Sequence, residues 1–312
     1  NAGGELGLAP THEEPITNLM TKFISSYKDL PVYVYQFQTK YRNELRAKSG
    51  ILRTREFLMK DLYSFSIDET EHQKFYDQVD QAYMRIYERL GLGDCTFKTY
   101  ASGGAFSKYS HEYQTLLPVG EDIIYLNHDK TIAVNEEVMN EEVLNDLGAK
   151  REDFTATTAA EVGNIFTLRY KFSEPINLKF DDQNGEKKTV FMGSYGIGVS
   201  RVMGVIAEKF ADEKGLVWPE NIAPFKYYVI GIGDQGEDLA RELHQKHSKN
   251  VLLDDRNLRP GEKFTDAELM GIPYRVVVSD KTLEDGSAEI TDRKTGETKN
   301  ISIQELKQLL SD

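Results

Sequence analysis

The run Gly193-Ser194-Tyr195-Gly196-Ile197-Gly198-Val199-Ser200-Arg201 constrains this chain more than any other segment, because its glycines lead straight into an apolar stretch reaching Val205 and Ile206. A glycine-rich turn feeding a helix presents unpaired backbone N–H groups and the positive end of the helix dipole to an anion. Arg201, one turn inside, adds a positive charge. The spacing reads as a phosphate-facing device. The same glycines would also suit close packing of a helix on a strand, and the segment alone leaves both readings open.

A second segment favours the first reading. From Val32 onward, Tyr33, Tyr35, Phe37 and Tyr41 alternate with Gln36, Gln38, Lys40, Arg42 and Glu44. A period of two predicts a strand with Arg42 and Glu44 on its polar face. Arg46-Ala47-Lys48-Ser49-Gly50 reads as a turn, and Ile51 to Phe65 as a returning strand with Arg53, Arg55, Phe57, Met59 and Asp61 on one face. Guanidinium groups for phosphates and a ring for a base make such a hairpin suited to a nucleotide. Arg42 could instead pair with Glu44 on the strand surface, and Phe57 could be ordinary core.

The remaining pattern sets the organisation. Residues 11–27 read as a helix, with Thr11 and Glu14 as a capping box and Ile16, Leu19, Met20, Phe23, Ile24 and Tyr27 as its apolar stripe. Asp68 to Leu90 reads as a second amphipathic helix, with Phe75, Val79, Tyr83, Ile86 and Leu90 inward and Gly91 as its stop. Short strands are expected between Thr96 and Asn135, then an acidic helical stretch from Glu136 to Phe154 and a small-residue connector from Thr155 to Ala160. Strands at 177–180 and 188–192 meet across Asn184-Gly185. The turn formers from Trp218 to Pro224 mark a domain boundary. Beyond it, strands at 227–232, 251–253 and 274–279 alternate with helices at 239–247 and 263–270 before a final helix at 302–310, which predicts a small α/β domain.

Composition narrows the class. Of 312 residues, 39% are hydrophobic and 29% charged, as expected for globular domains with ample cores. The lone cysteine, Cys95, rules out an internal disulfide and a cysteine-rich zinc site and suits a reducing cytoplasm. No apolar stretch approaches the ~20 residues of a membrane-spanning helix. A net charge of −13 means that any nucleic-acid partner must use a local basic patch.

These blocks together resemble class II aminoacyl-tRNA synthetases, and within them the bacterial-type prolyl-tRNA synthetases. The residues carrying the resemblance are Thr11-His12-Glu13-Glu14, Tyr41-Arg42-Asn43-Glu44, the stretch from Arg53 to Asp61, Ser110-His111-Glu112, the Arg201 segment, Asp254-Asp255-Arg256 and Arg259-Pro260-Gly261. The resemblance implies an α+β catalytic domain on an antiparallel sheet over residues 1–219, then a small α/β anticodon-binding domain over 220–312. It implies ATP and Mg²⁺ as cofactors, with no zinc expected, and L-proline and tRNA(Pro) as partners. The intact protein is expected to be a cytoplasmic homodimer without membrane contact. Motif 1, which carries the family's dimer contacts, is expected to precede this chain, leaving dimerisation and activity of the piece open.

Catalysis would fall to Arg42 and Arg201. Arg42 would bridge the α-phosphate and the attacking carboxylate, while Arg201 would hold the γ-phosphate end. Glu44, Arg53, Thr54 and Phe57 would complete the ATP contacts, with Glu112 as the Mg²⁺ ligand. Thr11, Glu13, Arg42, His111 and Ser194 would bind proline; Thr11 has a competing use as a helix cap, and His111 could be structural. Segment 102–110 is longer than the common family form. Arg256, Arg259, Lys263 and Phe264 form a basic, aromatic cluster suited to a single-stranded anticodon, although a solvated helix start reads the same way. A threonine, glycine or histidine enzyme of the same class remains an alternative, as does a non-catalytic tRNA-binding paralogue or a fragment. Retention of Arg42, Glu44 and Arg201 favours an enzyme.

In the family's long bacterial form an editing domain is inserted where this chain has a short linker at 140–160. A proline pocket can reject smaller alanine by only the ~1–3 kcal/mol that missing methylenes supply. Purified protein given alanine and tRNA(Pro) should therefore form Ala-tRNA and leave it intact; rapid deacylation in the same assay would contradict this.

Overall fold

Residues 7–45, 47, 49–103 and 109–311 are described in this computed structural model, and the chain divides into two compact units, Asn1–Val205 and Ile206–Asp312. The first unit runs α1 (Glu13–Met20), β1 (Val32–Tyr41), β2 (Glu56–Ser66), α2 (Glu69–Arg89), β3 (Thr96–Ser102), β4 (Tyr109–Leu116), β5 (Asp122–Asn127), β6 (Ala133–Asn135), α3 (Glu141–Leu147), β7 (Phe154–Arg169), β8 (Lys179–Asp181), β9 (Lys187–Thr189), β10 (Phe191–Ile197) and α4 (Val199–Phe210). Eight of these strands form one sheet, ordered β1-β2-β10-β7-β4-β3-β6-β5, with β5 also pairing to β7. All its ladders are antiparallel except β3 with β6.

Helix α2 covers one face of this sheet. Asp68 caps it by accepting from the Glu71 amide, and its buried stripe is His72, Tyr76, Val79, Tyr83 and Tyr87. That stripe is rotated from the sequence expectation, because tyrosines fill the space above the sheet, with the Tyr76 hydroxyl meeting His111 and the Tyr83 hydroxyl accepting from Lys60. Phe75 instead stacks on Tyr33 at 3.6 Å. The opposite face packs α1 over Tyr63, Phe65, Leu178, Phe180 and Met192.

Several expectations are corrected. The first helix spans Glu13–Met20 rather than residues 11–27, and His12, not Thr11, stands at its N-cap. It stops early because Asp29 accepts hydrogen bonds from the Ser25 amide and hydroxyl and the Ser26 amide, a local alternative to continuing the helix. Thr11 bonds to the Glu13 carboxylate, and Leu19 and Phe23 are exposed. Strand β1 ends at Tyr41, and Arg53 and Arg55 precede β2 in a turn containing Ser49 and Gly50 at positive φ. Arg46 and Lys48 lie outside the described residues, as do residues 104–108 of the long segment. Thr155–Ala160 is no connector: it opens β7, pairing with β5 and β4. Within the interval 140–160, only short pieces around α3 remain outside the sheet.

The glycine segment is also not a turn. Gly193 to Ile197 lies in β10, hydrogen-bonded to β2 on one side and β7 on the other, and Gly198 joins it to α4. Its glycines permit close approach, so the second of the two sequence readings describes the backbone here. A Cβ on Gly193 would sit 2.5 Å from His72 Cε1 and 2.5 Å from the Tyr195 hydroxyl.

In the second unit β11 (Tyr227–Ile232), α5 (Asp234–Lys246), β12 (Val251–Asp254), α6 (Pro260–Met270), β13 (Tyr274–Ser279), α7 (Asp280–Glu284), β14 (Ser287–Asp292), β15 (Thr298–Ser302) and α8 (Ile303–Ser311) build a five-stranded sheet ordered β12-β11-β13-β14-β15. Strand β11 runs parallel to β12 and β13, while β14 and β15 add antiparallel. Alternation along β11 serves two layers: Tyr227 and Val229 meet Ala240, Leu243 and Leu306, and Tyr228 and Ile230 meet Ala267 and Ile272. Strands β14 and β15 went unseen in the sequence because their charged, turn-rich residues lack a continuous apolar run.

Gly193→Ala should destabilise the first unit by about 1–3 kcal/mol, the usual range for overpacking a filled core. Urea unfolding followed by tyrosine fluorescence would detect it; an unchanged midpoint would show that the neighbours of β10 give way easily.

Candidate active site

Strand β10 arranges the site as a ruler. Its alternate residues Met192, Ser194 and Gly196 share one face, roughly 6.6 Å apart. A helix advances about 6 Å over four residues, so α1 matches this step. Thr17 hydroxyl reaches Met192 Sδ at 3.5 Å and Glu13 Oε1 accepts from Ser194 Oγ at 3.3 Å. Thr11 bonds to the other Glu13 oxygen. Thr11, Glu13 and Ser194 therefore come together as the sequence suggested, presenting a carboxylate and two hydroxyls.

Further along β10 the side chains vanish and a narrow cleft opens, lined by Arg42, Glu44, Arg53, Thr54, Phe57 and Arg201 among others. A Cβ on Gly196 would meet Met59 Cε at 2.3 Å, so the bare backbone is what lets Met59 floor the cleft. Arg201 is clamped at the rim: Nε donates to Leu52 O at 2.9 Å and Nη1 to Glu161 O at 2.8 Å, with Glu161 Oε2 at 3.4 Å. Leu52 and Ile51 in turn pack where Gly204 of α4 carries no side chain.

The three cleft arginines differ in how committed they are. Arg53 lies between Glu44 at 2.9 Å and Glu121 at 2.7 Å, and these two hydrogen-bonded carboxylates raise its pKa further. Arg201 is shared with Glu161. Arg42 is exposed; among the described residues its Nε donates to Pro10 O at 3.4 Å, and its guanidinium carbon stands 5.2 Å from the Phe57 ring centre. Phe57 is half-buried with its ring toward the cleft rather than in the core. Thr54 donates to Glu56 O at 2.7 Å and shapes the turn before β2.

Glu112 lies on β4 and accepts from Gln114 Nε2 at 2.9 Å and Asn135 Nδ2 at 3.1 Å. Burial, reinforced by the nearby Glu161 charge, raises its pKa well above the ordinary carboxylate range. Two carboxylates whose mutual repulsion favours a proton at neutral pH form a donor pair that a divalent cation would also relieve. Glu161, Asn164 and Glu121 were missed in the sequence. Glu161 sits in the stretch read as following a connector, and only the pairing of β7 with β4 brings it to Glu112.

His111 is corrected. It points away from Ser194 toward α2, where its Nδ1 lies 2.7 Å from the Tyr76 hydroxyl and its ring packs on Tyr100. Tyr76 packs on Tyr195, the strand neighbour of Ser194 that faces the opposite side of the sheet. His111 is thus packed on the α2 side of the sheet, away from Ser194.

In the second unit, the basic cluster is largely committed. Arg256 forms a fork on Asp254 at 2.7 Å and also bonds Asp266 at 2.7 Å. Burial pushes the Asp254 carboxyl up, yet the Arg256 fork and the Tyr228 hydroxyl outweigh this and hold it at about 2. Lys263 is buried with its ammonium on Asp254 O at 3.1 Å, and Phe264 packs into the lower core with Arg275 over its ring. Acidic neighbours on α6 and β12 account for the difference from the expected open patch. Arg259 stays exposed at the start of α6.

Sheet, cleft and second unit together define a class II tRNA synthetase core joined in sequence to an anticodon-binding domain. Residues 1–210 match the family described as tRNA synthetase class II core domain (G, H, P, S and T), and residues 226–312 match the anticodon binding domain. The chain is 36% identical over 329 residues to the proline--tRNA ligase of Anaplasma phagocytophilum, covering 99% of this chain and 76% of that one. It is 39% identical over 315 residues to the probable mitochondrial proline--tRNA ligase of Schizosaccharomyces pombe, covering 98% and 74%. The chain belongs to the proline--tRNA ligase family. Its fold matches the crystal structure of Cryptosporidium parvum prolyl-tRNA synthetase complexed with L-proline and AMP, with a TM-score of 0.73 at 24% identity, covering 97% of this chain and 58% of that one.

Burial pulls the His111 and His72 imidazoles down to about 4. Unfolded histidines titrate near 6.5, so between 6.5 and about 4 the unfolded state binds the extra protons and stability falls with pH, by up to ~1.4 kcal/mol per pH unit per histidine. Urea midpoints measured from pH 7 to 4.5 should drop less steeply in His111→Gln than in the wild type; parallel curves would mean His111 is already charged in the fold.

Proposed function

We propose that this chain activates L-proline with ATP to prolyl-adenylate and transfers the prolyl group to tRNA(Pro). The observation that carries the reading is the uncommitted Arg42 guanidinium, set beside both the Thr11–Glu13 turn and the Phe57 ring. Proline's secondary ammonium offers two N–H donors, and Glu13 with Thr11 and Ser194 supplies acceptors for them. Its carboxylate would then point toward Arg42. Attack of a carboxylate on a phosphate brings two negative charges together, and a planar, permanently protonated guanidinium reduces that repulsion as the bond forms.

Adenine would stack on Phe57, with Glu44 accepting from its amino group. Arg53 and Arg201 would meet the phosphates, each trading part of its present carboxylate contact for ligand. Thr54 would contact the same nucleotide. Glu112 and Glu161 would hold Mg²⁺, which neutralises phosphate charge when bound. Pyrophosphate leaves as the mixed anhydride forms, so the protein contributes positioning and charge rather than covalent chemistry.

In the second unit, Arg259 and the outer edge of Arg256 are assigned to the anticodon, with Lys263 and Phe264 supporting them from within. The reading includes a homodimeric intact protein, to which the exposed Tyr35 and Phe37 on edge strand β1 lend support. It also places the reaction in the cytoplasm, where Cys95 stays reduced. Among the described residues no helix is long and apolar enough to cross a membrane.

The test is ATP–pyrophosphate exchange with proline, alanine, threonine, glycine and histidine in separate reactions. Proline should give the highest kcat/KM, and Arg42→Ala should reduce it by ~10²–10³, the range for losing one charge-stabilising donor. Exchange driven best by another amino acid would reassign the substrate.

A further inference from the structure

Strand β2 loses one of its two neighbours just where it reaches the cleft. Its ladder to β10 ends with Lys60 opposite Ile197, while its ladder to β1 runs on to Glu56 opposite Tyr41. Residues 56–59 are therefore paired to a strand on one edge alone, and among them are Phe57 and Met59, which line the cleft. Continued by two residues, the register would set Leu58 opposite Val199. Val199 instead opens α4, and the backbone there has turned into its own helix.

Ser200 fills the gap. Its Oγ accepts from the Leu58 amide at 3.0 Å, so a side chain from the first turn of the helix takes the place of a ladder carbonyl. Trading water for a protein acceptor gains a backbone N–H little net free energy. The bond is therefore better understood by what it holds in place. Next to Ser200, Arg201 is clamped on Leu52 O at 2.9 Å and Glu161 O at 2.8 Å. Two successive side chains of α4 thus grip three separate segments: β2 at Leu58, the turn before β2 at Leu52, and β7 at Glu161. Phe57 and Leu58 are likewise successive, so the ring proposed for the base and the guanidinium proposed for the phosphates are tied through adjacent residues on both sides.

We propose that Ser200 is a positioning residue that fixes the Phe57–Met59 segment against Arg201, and so sets the span between the base end and the phosphate end of the bound nucleotide. The inference rests on the ATP reading above. Ser200 touches no ligand in this scheme and acts through the Leu58 backbone. A nucleotide must meet both ends of its site at once, and a span fixed beforehand spares the cost of ordering it on binding. Glu13 and Ser194 are held by α1 and the doubly paired part of β10, and should not feel the loss of this bond.

Ser200→Ala tests this, since it removes one oxygen. ATP KM in the exchange reaction should rise about fivefold, the effect of one neutral hydrogen bond, while proline KM stays within about twofold. The Leu58 amide should exchange hydrogen faster in the ligand-free protein. Ser200→Thr keeps the hydroxyl and should restore both readings. Met203→Gly weakens the same helix at an exposed position and should change neither. An unaltered ATP KM or Leu58 amide in Ser200→Ala, equal rises in both KM values, no rescue by Ser200→Thr, or the same effect from Met203→Gly would overturn the proposal. If wild-type protein binds ATP in calorimetry yet activates no proline, ATP Kd replaces KM in every comparison. A weaker Kd in Ser200→Ala then leaves the positioning role standing while the proline reading falls, and wild-type protein that binds no ATP overturns both.

Discussion

The site depends on a strand that is hydrogen-bonded on both edges while its side chains disappear along one face. Strand β10 is fixed between β2 and β7, so its backbone cannot shift to make room for a ligand. Room comes from the order of residues: Met192 fills the core under α1, Ser194 offers one hydroxyl, and Gly196 and Gly198 offer nothing. A gradient of volume along one rigid strand thus converts hydrophobic core into cleft within a few residues. Helix α1 fits the same gradient because its turn rise nearly equals the two-residue strand step.

Charge is distributed over this frame with equal economy. A cleft holding several free arginines would repel itself and destabilise the fold. Here Arg53 and Arg201 are partnered by Glu44, Glu121 and Glu161, while Arg42 is exposed and, among the described residues, makes no ion pair. The carboxylates keep the cationic groups in place, and an arriving polyphosphate can replace them at modest cost. Burial tips the balance elsewhere: Glu112, beside Glu161, favours a proton, which marks the locus where negative charge is in excess.

Much of this was legible in the sequence, and the failures share a cause. The placing of Arg42 and Phe57 on one hairpin came from residue type and strand period, which depend on local chain geometry, while Glu13 came from the family resemblance alone. His111 was misplaced because its neighbour Glu112 does face the cleft; in a strand a single residue's offset reverses the side, and no local pattern says which side carries the ligand. Glu161 was missed because its relevance arises from pairing between strands far apart in sequence. That Arg256 pairs with Asp254 and Asp266 could not be read from the sequence, because only the fold sets those carboxylates against it. The glycine segment was read as a turn for a related reason: glycine reports that space is short without saying whether a bend or a neighbour takes it up.

The insertion of β10 between β2 and β7 also shows where the sheet is costliest to close. Ser64 and Tyr195, which meet in the closed sheet, are 131 residues apart in the chain. Hairpins such as β1 with β2 and β3 with β4 close short loops, and β10 pairs with β7 across the stretch between Arg169 and Met192, whereas its ladder to β2 joins Ser66 to Phe191 and closes the longest loop in the sheet. The loop-closure cost therefore concentrates in the β2–β10 ladder, the one that sets Ser194 beside Tyr63 and Gly196 beside Asp61. With that ladder open, Ser194 and Gly196 would lack their β2 neighbours, so a ligand that needs both binds only the closed sheet.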